Sequence, residues 1–309
     1  MKKYIFRILL FFVVVAVVDQ MIGYVADYFQ SHAKGGDTKM INDFVLDDKY
    51  DIIILGSSRA HHHYVPQVIS DSLGLSCYNG GRDGNGILFQ YGIYKMITER
   101  YNPRMIIYDV EPSFDIFKYE DDIYNTRYLS ALKPYFKNHY VSQIFKDVSI
   151  KEYIKVHSGL CRHNSSLISE FIDFIVPRGN GLIIDNGYIP LFGAINREPQ
   201  NIIEENNIID SLKIAYMYKF IKDVSENKIP LLIVASPKYG ASDSRHFDLI
   251  KDYCCEFNVP FIDYYADSCF MHHKEWFKEP MHLNDEGARH FSKLITKYIK
   301  QYDKSFMDN

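Results

Sequence analysis

Between residues 50 and 302, short runs of apolar residues alternate with stretches whose apolar positions recur at helical spacing. A continuous apolar run is typical of a strand in a parallel sheet, because helices cover both of its faces. These runs predict strands at Asp51–Gly56, Ser76–Asn79, Met105–Val110, Leu231–Ala235 and Pro260–Asp263. Helices are predicted between and after them, at residues 65–73, 87–99, 208–226, 243–257 and 285–302. This alternation predicts an α/β fold with a three-layer, doubly wound parallel sheet.

One stretch, residues 112–205, does not follow the alternation. It is rich in Tyr, Phe and Asn, with helical patterns around residues 130–175 and an irregular part that contains Pro177, Gly179 and Gly181. We interpret it as a helical insertion after the third strand that borders the cleft of the sheet.

The N-terminal segment differs from the rest of the chain. Basic residues up to Arg7 precede the charge-free apolar run Ile8–Val18, and a further apolar stretch follows Asp19 and Gln20. This pattern predicts an uncleaved signal anchor at residues 1–30, a single transmembrane helix with its basic end in the cytoplasm. A cleaved signal peptide is the alternative, because eleven apolar residues also match a signal sequence.

The anchor sets the expected domain organisation and location. Residues 31–49 are interpreted as a tether, and residues 50–305 as the α/β domain, exported to the periplasm or the cell exterior. The net charge of −4 and the pI near 6.3 speak against a nucleic-acid partner. The 15% aromatic content is compatible with a carbohydrate-binding surface as well as with a large core.

Two segments more than two hundred residues apart carry the candidate chemistry. Gly56-Ser57-Ser58-Arg59 follows the first strand and places a serine hydroxyl where a new helix has free backbone N–H groups. Glu279-Pro280-Met281-His282, on a loop before the last helix, supplies an imidazole and a carboxylate three positions earlier. Together they predict a nucleophile, Ser58 or Ser57, with His282 as general base and Glu279 as the acid that orients it.

A glycine-rich loop, Gly80–Gly86, follows the second strand. Its glycines allow backbone N–H groups to face a ligand, so Gly84 and Asn85 are predicted to form an oxyanion hole with the N–H of Ser58. The loop lacks the Lys-Ser/Thr ending of a phosphate-binding loop and the spacing of a dinucleotide site, and no cofactor is expected.

Further polar residues follow strand ends at the edge where a doubly wound sheet binds its ligands. The predicted substrate-binding residues are Arg59, Arg82, His63, Asp109 and Glu111. For the two arginines, a structural salt bridge is the alternative. A metal-dependent hydrolase built on His61-His62-His63 is disfavoured, because consecutive histidines in regular structure cannot all face one metal.

These motifs resemble those of the SGNH/GDSL hydrolase superfamily. The Gly56-Ser57-Ser58 turn is similar to its first block, usually Gly-Asp-Ser, and this favours Ser58 as the nucleophile. Asn79–Gly84 is similar to the second block, whose glycine donates to the oxyanion. Glu279-x-x-His282 is similar to the fifth block, usually Asp-x-x-His. The third block, Gly-x-Asn-Asp, is missing.

The resemblance implies a flavodoxin-like sheet and the hydrolysis or transfer of ester-linked acyl groups. We therefore expect an exported serine esterase that acts on an acylated carbohydrate or a small ester. An O-acyltransferase of cell-envelope polysaccharide is the first alternative. The second is an inactive envelope-assembly or glycan-binding protein, which the missing third block and the Glu in place of Asp would explain.

Overall fold

The computed structural model describes residues 1–118, 129–164, 166–177, 186–195 and 208–302, which belong to two compact units. The helical unit consists of residues 1–47 and 123–181, and the sheet unit of residues 48–122 and 182–309. In chain order the helices are α1 (Lys2–Ser31), α2 (Gly36–Asn42), α3 (Ser58–His63), α4 (Pro66–Leu73), α5 (Ile87–Thr98), α6 (Pro112–Asp115), α7 (His139–Val148), α8 (Ile150–His157), α9 (Gly159–His163), α10 (Leu167–Ile175), α11 (Ser211–Glu226), α12 (Asp248–Glu256), α13 (Ser268–Met271) and α14 (Asp285–Tyr302).

The sheet unit is built on five parallel strands. They are β1 (Ile52–Gly56), β2 (Cys77–Asn79), β3 (Met105–Asp109), β4 (Leu231–Ala235) and β5 (Phe261–Asp263), and their spatial order is β2-β1-β3-β4-β5. This order is that of a flavodoxin-like doubly wound sheet, whose ligand crevice lies at the carboxyl ends of β1 and β3. The predicted fold class and all five predicted strands are confirmed.

Helices cover both faces of this sheet. On one face, Ile54 and Ile107 belong to a buried cluster with Ile69 of α4 and Phe291 and Ile295 of α14. On the other face, the Tyr108 ring packs against Phe220 of α11, with 5.1 Å between ring centroids. Neighbouring residues of β3 thus point to opposite layers, which requires the strand to be apolar throughout.

A short hairpin precedes the last helix where the sequence predicted a loop. It pairs β6 (Phe277–Glu279) with β7 (His282–Leu283) in antiparallel fashion, and Glu279 faces His282 across the turn. The loop prediction was wrong because a strand of two or three residues is too short to show the alternation of apolar and polar residues that identifies a strand.

The helical unit contains α1, α2 and α7–α10. The helices α7–α10 confirm the helical insertion after the third strand, although residues 119–128, 165, 178–185 and 196–205 of that stretch, including Gly179 and Gly181, lie outside the described residues. Part of the segment interpreted as a tether forms α2 and a π-helical turn at Asp43–Asp47. Among the described residues, α1 is the one helix long and apolar enough to cross a membrane.

Candidate active site

The turn between β1 and α3 presents Ser58 at the carboxyl edge of the sheet. Gly56 ends the strand with a φ of +141°, and a Cβ there would lie 2.6 Å from the carbonyl oxygen of Asp109. Only glycine therefore allows β1 and β3 to approach this closely at the turn. Ser58 is the first residue of α3, so its own N–H is one of the free donors at a helix start.

The hairpin brings the imidazole to this serine. His282 Nε2 lies 2.7 Å from Ser58 Oγ. On the other side of the ring, Nδ1 forms a very short hydrogen bond with Glu279 Oε1, and the Met281 N–H donates to Glu279 Oε2 at 3.0 Å. The three predicted catalytic residues are thus in contact in the predicted order.

The charge of Glu279 determines which imidazole nitrogen carries the proton. Burial raises the pKa of Glu279, but hydrogen bonds from His282 and from the Met281 N–H outweigh it and hold the pKa below its usual value. An ionised carboxylate only accepts hydrogen bonds, so Nδ1 of His282 must donate. The lone pair of Nε2 then faces the Ser58 hydroxyl, and the imidazole can take up its proton.

The neighbouring serine has a different environment. Ser57 is fully buried, and its Oγ has no hydrogen-bond partner among the described residues. Within the part of the chain that the structure describes, Ser57 therefore contacts no base, whereas Ser58 does.

A buried chain of hydrogen bonds connects the hairpin to the sheet. The N–H of Leu283, next to His282, donates to His63 Nε2 at 3.0 Å, and His63 Nδ1 lies 2.9 Å from Ser236 Oγ. Because Nε2 accepts, the proton of the neutral ring is on Nδ1 and is donated to Ser236. Burial, followed by the nearby Arg59 guanidinium, holds the pKa of His63 well below its usual value. His63 thereby links the strand of His282 to the helix of Ser58.

Four of the predicted substrate-binding residues lie inside the protein, in or near this network. Arg59, His63, Asp109 and Glu111 are all buried and bonded within the protein. Arg59 donates to Ser236 Oγ at 3.0 Å, and Asp109 accepts from the Tyr64 hydroxyl at 2.5 Å. The Glu111 carboxylate caps α6 by accepting from the Phe114 N–H. Following a strand end does not determine whether a side chain points into the cleft or under it, and the substrate roles of these four residues stay predictions.

The glycine-rich loop lies directly on α3. A Cβ on Gly81 would lie 2.4 Å from the backbone nitrogen of His61. The Asn79 carboxamide joins the two segments: it donates to the carbonyl groups of Ala60 and Tyr64 at 2.7 and 2.9 Å, and it accepts from the Gly81 N–H at 2.9 Å. No role of its own was predicted for Asn79, although an asparagine between a strand and Gly-Gly is a typical turn-bridging residue.

The predicted oxyanion donors differ in the hydrogen bonds that they already make. Gly84 has a φ of +71°, and within the described part of the chain neither its N–H nor that of Ser58 donates a hydrogen bond. Asn85 is buried and already uses one N–H on the Asp83 carbonyl oxygen at 2.8 Å. Arg82 is half-buried in the same loop, and its N–H donates to the Gly56 carbonyl oxygen at 3.1 Å. The oxyanion roles and the Arg82 substrate contact stay predictions.

Two of the three consecutive histidines converge on the loop. His61 Nδ1 and His62 Nε2 lie 2.8 and 3.2 Å from Asp83 Oδ1, and His62 Nδ1 lies 2.8 Å from the Ile189 carbonyl oxygen. Although burial opposes both changes, these contacts raise the pKa of His62 and lower that of Asp83. The two histidines thus hydrogen-bond the loop from α3, and two histidines with one carboxylate are also the donors within the described residues that could hold a metal.

Comparisons with known proteins give distant structural neighbours. No protein-family model matches the chain, and no curated protein matches it. Among solved structures, a Streptococcus pneumonia protein named for platelet activating factor has a TM-score of 0.42 at 11% identity, covering 93% of this chain and 98% of its own. An acetyl xylan esterase has 0.40 at 11% identity, covering 80% and 99%.

A third neighbour, from Desulfitobacterium hafniense, is named as a lipolytic protein of the G-D-S-L family. Its TM-score is 0.37 at 9% identity, covering 80% of this chain and 98% of that one. At TM-scores this low, function has to be argued from the geometry of the site.

Proposed function

We propose that this protein is a serine ester hydrolase in which Ser58 is the nucleophile. The observation that carries the proposal is the contact of 2.7 Å between Ser58 Oγ and His282 Nε2, with Glu279 on the opposite nitrogen of the ring. A serine hydroxyl is a weak nucleophile until a base accepts its proton, and an imidazole oriented by a carboxylate is such a base.

The proposed reaction has two stages. Ser58 Oγ attacks the acyl carbonyl carbon while His282 Nε2 takes the hydroxyl proton, and the N–H groups of Ser58 and Gly84 stabilise the oxyanion. The C–O bond to the leaving alcohol then breaks, and His282 returns the proton to that alcohol. In the second stage His282 Nε2 removes a proton from water, and the water oxygen attacks the acyl carbon. The C–O bond to Ser58 Oγ then breaks, His282 returns the proton to Ser58 Oγ, and the acid is released.

The substrate is proposed to be an ester-linked acyl group, acetyl in the first place, on a glycan outside the cytoplasm. The support is the aromatic content of 15%, the apolar helix α1 as a membrane anchor, and the family resemblance of the motifs. Arg82, half-buried beside the nucleophile turn, is the proposed polar contact for the substrate.

The test uses the full chain in detergent with p-nitrophenyl acetate. Ser58→Ala is expected to reduce kcat/KM by at least about a thousandfold, because removing the nucleophile leaves only binding and oxyanion contacts. Ser57→Ala, the matched control one residue away, is expected to keep most of the activity. Equal loss in both variants, or full activity in Ser58→Ala, would contradict the proposed nucleophile.

A second measurement separates hydrolysis from transfer. The acyl-enzyme is formed with acetylated xylan, and the product is compared with and without an unacetylated oligosaccharide acceptor. Release of free acetate in both cases supports the hydrolase, whereas acetylation of the acceptor identifies an O-acyltransferase. Neither product, together with no labelling of Ser58 by a fluorophosphonate, identifies a binding protein.

A further inference from the structure

Helix α10 of the helical unit has its polar and apolar faces inverted. Its fully buried side chains include two acids, Glu170 and Asp173. Its exposed side chains include large apolar ones, with Ile168 77% and Ile175 50% exposed. At 100° per residue, these two pairs lie on opposite sides of the helix. In water such a helix would bury its other face.

Hydrogen bonds within the helical unit hold α10 in this orientation. Glu170 accepts hydrogen bonds from the Ser166 hydroxyl at 2.7 Å and pairs with His163 Nδ1 at 2.8 Å, and Asp173 accepts from the Thr38 hydroxyl at 2.8 Å. Each buried carboxylate thus has partners on other segments. Rotating α10 to bury its isoleucines would leave these groups without partners, so the apolar face must point outward.

Helix α1 indicates what this outward face meets. Exposed apolar side chains extend along it from Tyr4 to Val25. With a rise of about 1.5 Å per residue this length is about 30 Å, the thickness of the hydrocarbon core of a bilayer. Asp19 lies inside this length, where an unpaired carboxylate would be unfavourable.

The first turn of α9 supplies partners to Asp19. The Asp19 carboxylate accepts from the Ser158 hydroxyl at 2.7 Å and from the N–H groups of Gly159 and Leu160 at 2.9 Å each. Helices α9 and α1 approach each other so closely here that a Cβ on Gly159 would lie 2.5 Å from Gly23 Cα. The start of α9 therefore lies beside α1 within its apolar length.

Helix α10 packs further along α1, at its C-terminal end. The Phe171 ring lies 5.2 Å from the Phe29 ring, centroid to centroid. Tyr24 and Tyr28, on the last turns of α1, are 75% and 47% exposed. Exposed tyrosines at the end of an apolar helix are typical of the boundary between lipid and water. Helix α10 therefore lies at the level along α1 where lipid meets water.

We infer that α10 lies in the membrane interface, with the face formed by Ile168, Phe171, Ile172 and Ile175 in contact with lipid. This inference rests on the proposed anchoring of the chain by α1. A helix with one strongly apolar face is the kind of element that binds in the boundary between headgroups and acyl chains. The contact would hold the helical unit against the membrane surface instead of leaving it on a free tether.

The test places one tryptophan at a time in the full chain, which has Trp276 as its only native tryptophan. The variants are Ile172→Trp on α10, Val14→Trp on the apolar part of α1, and Gln143→Trp on an exposed position of α7. Each protein is reconstituted in phosphatidylcholine vesicles with and without brominated acyl chains, and the emission of the unaltered chain is subtracted.

The inference expects blue-shifted emission from Ile172→Trp and Val14→Trp that is lost in brominated lipid, and water-like, unquenched emission from Gln143→Trp. If Val14→Trp is quenched and Ile172→Trp is not, the interface contact is refuted while anchoring by α1 stands. Blue-shifted but unquenched emission from Ile172→Trp would instead show that a protein surface, such as a second copy of this chain, covers the face. If neither variant is quenched, anchoring and interface contact both fail.

Discussion

Helices α10 and α14 are both amphipathic, but they turn opposite faces inward. α14 buries Phe291, Ile295 and Ile299 against the sheet and exposes Lys293, Lys297 and Lys300. α10 buries acids and exposes isoleucines. The first arrangement is stable in water, and the second is stable where the outer face meets an apolar solvent. Amphipathicity alone therefore does not determine which face of a helix is the inner one.

The buried polar groups of the two units also have different roles. In the sheet unit, buried polar groups such as His63 and Ser236 lie at the carboxyl edge of the sheet, beside the candidate site. In the helical unit, Glu170 and Asp173 join secondary-structure elements to one another. Substitutions in the first set are therefore expected to change activity, and those in the second set to change stability.

The strongest test of the comparison replaces an isoleucine on each helix. Ile295→Ala on α14 is expected to lower the free energy of unfolding by about 2–5 kcal/mol, because it leaves a cavity in a packed core. Ile168→Ala on α10 is expected to change it by less than about 0.5 kcal/mol, because its side chain contacts little protein. Denaturant unfolding of the full chain in detergent measures both free energies. Equal losses would show that Ile168 is packed as tightly as Ile295 and would contradict the outward orientation of the apolar face of α10.

The second test removes a buried acid. Glu170→Ala leaves His163 Nδ1 and the Ser166 hydroxyl without their partner, although His163 Nε2 keeps its contact with Asp27, and it is expected to lower the free energy of unfolding by about 1–3 kcal/mol. Glu226→Ala, an exposed acid at the end of α11, is the control and is expected to stay within about 0.5 kcal/mol. Specific activity of the folded Glu170→Ala protein should equal that of the parent. An unchanged unfolding midpoint would contradict the role of Glu170 inside the helical unit.

The third test concerns His63 as a positioning residue. His63→Phe cannot accept from the Leu283 N–H, so the hairpin with His282 is held less firmly. We expect kcat to fall about tenfold, or about 1.4 kcal/mol, with little change in KM. His63→Gln keeps one acceptor and one donor and should restore most of kcat, whereas His246→Phe, a half-buried control, should not reduce it. If His63→Phe lowers kcat and stability together, and His63→Gln does not restore kcat, then His63 serves only to pack the core.

The smallest effect is expected from the pH dependence of Glu279. Its pKa is lowered in the folded protein, so its contribution to stability is present above its unfolded pKa of about 4.3 and is lost as the pH falls below that value. The unfolding midpoint of the parent should therefore fall more between pH 6 and pH 3 than that of Glu279→Gln. Identical pH profiles would mean that the His282–Glu279 pair does not form in solution.

Much of the sheet unit was predictable because its signals are local. A run such as Ile52–Leu55 is apolar throughout, and each strand end was placed within one residue. The Gly-Ser-Ser turn and the Glu-x-x-His spacing mark the candidate catalytic residues when they are taken together and compared with known motifs. The roles of Arg59 and Asp109 could not be predicted, because burial depends on what packs above a strand end.

The amino-acid sequence alone indicates the alternation of strands and helices, the helical character of the first thirty residues, and the residue types at the site. The folded chain shows in addition that Ser58 and His282, 224 positions apart, lie in hydrogen-bonding contact. It also decided that His63 lies beneath the site and that α10 turns its isoleucines outward. The physical reason is that a periodic pattern defines two faces of an element, whereas the neighbours that cover each face are set by how the chain closes over long distances.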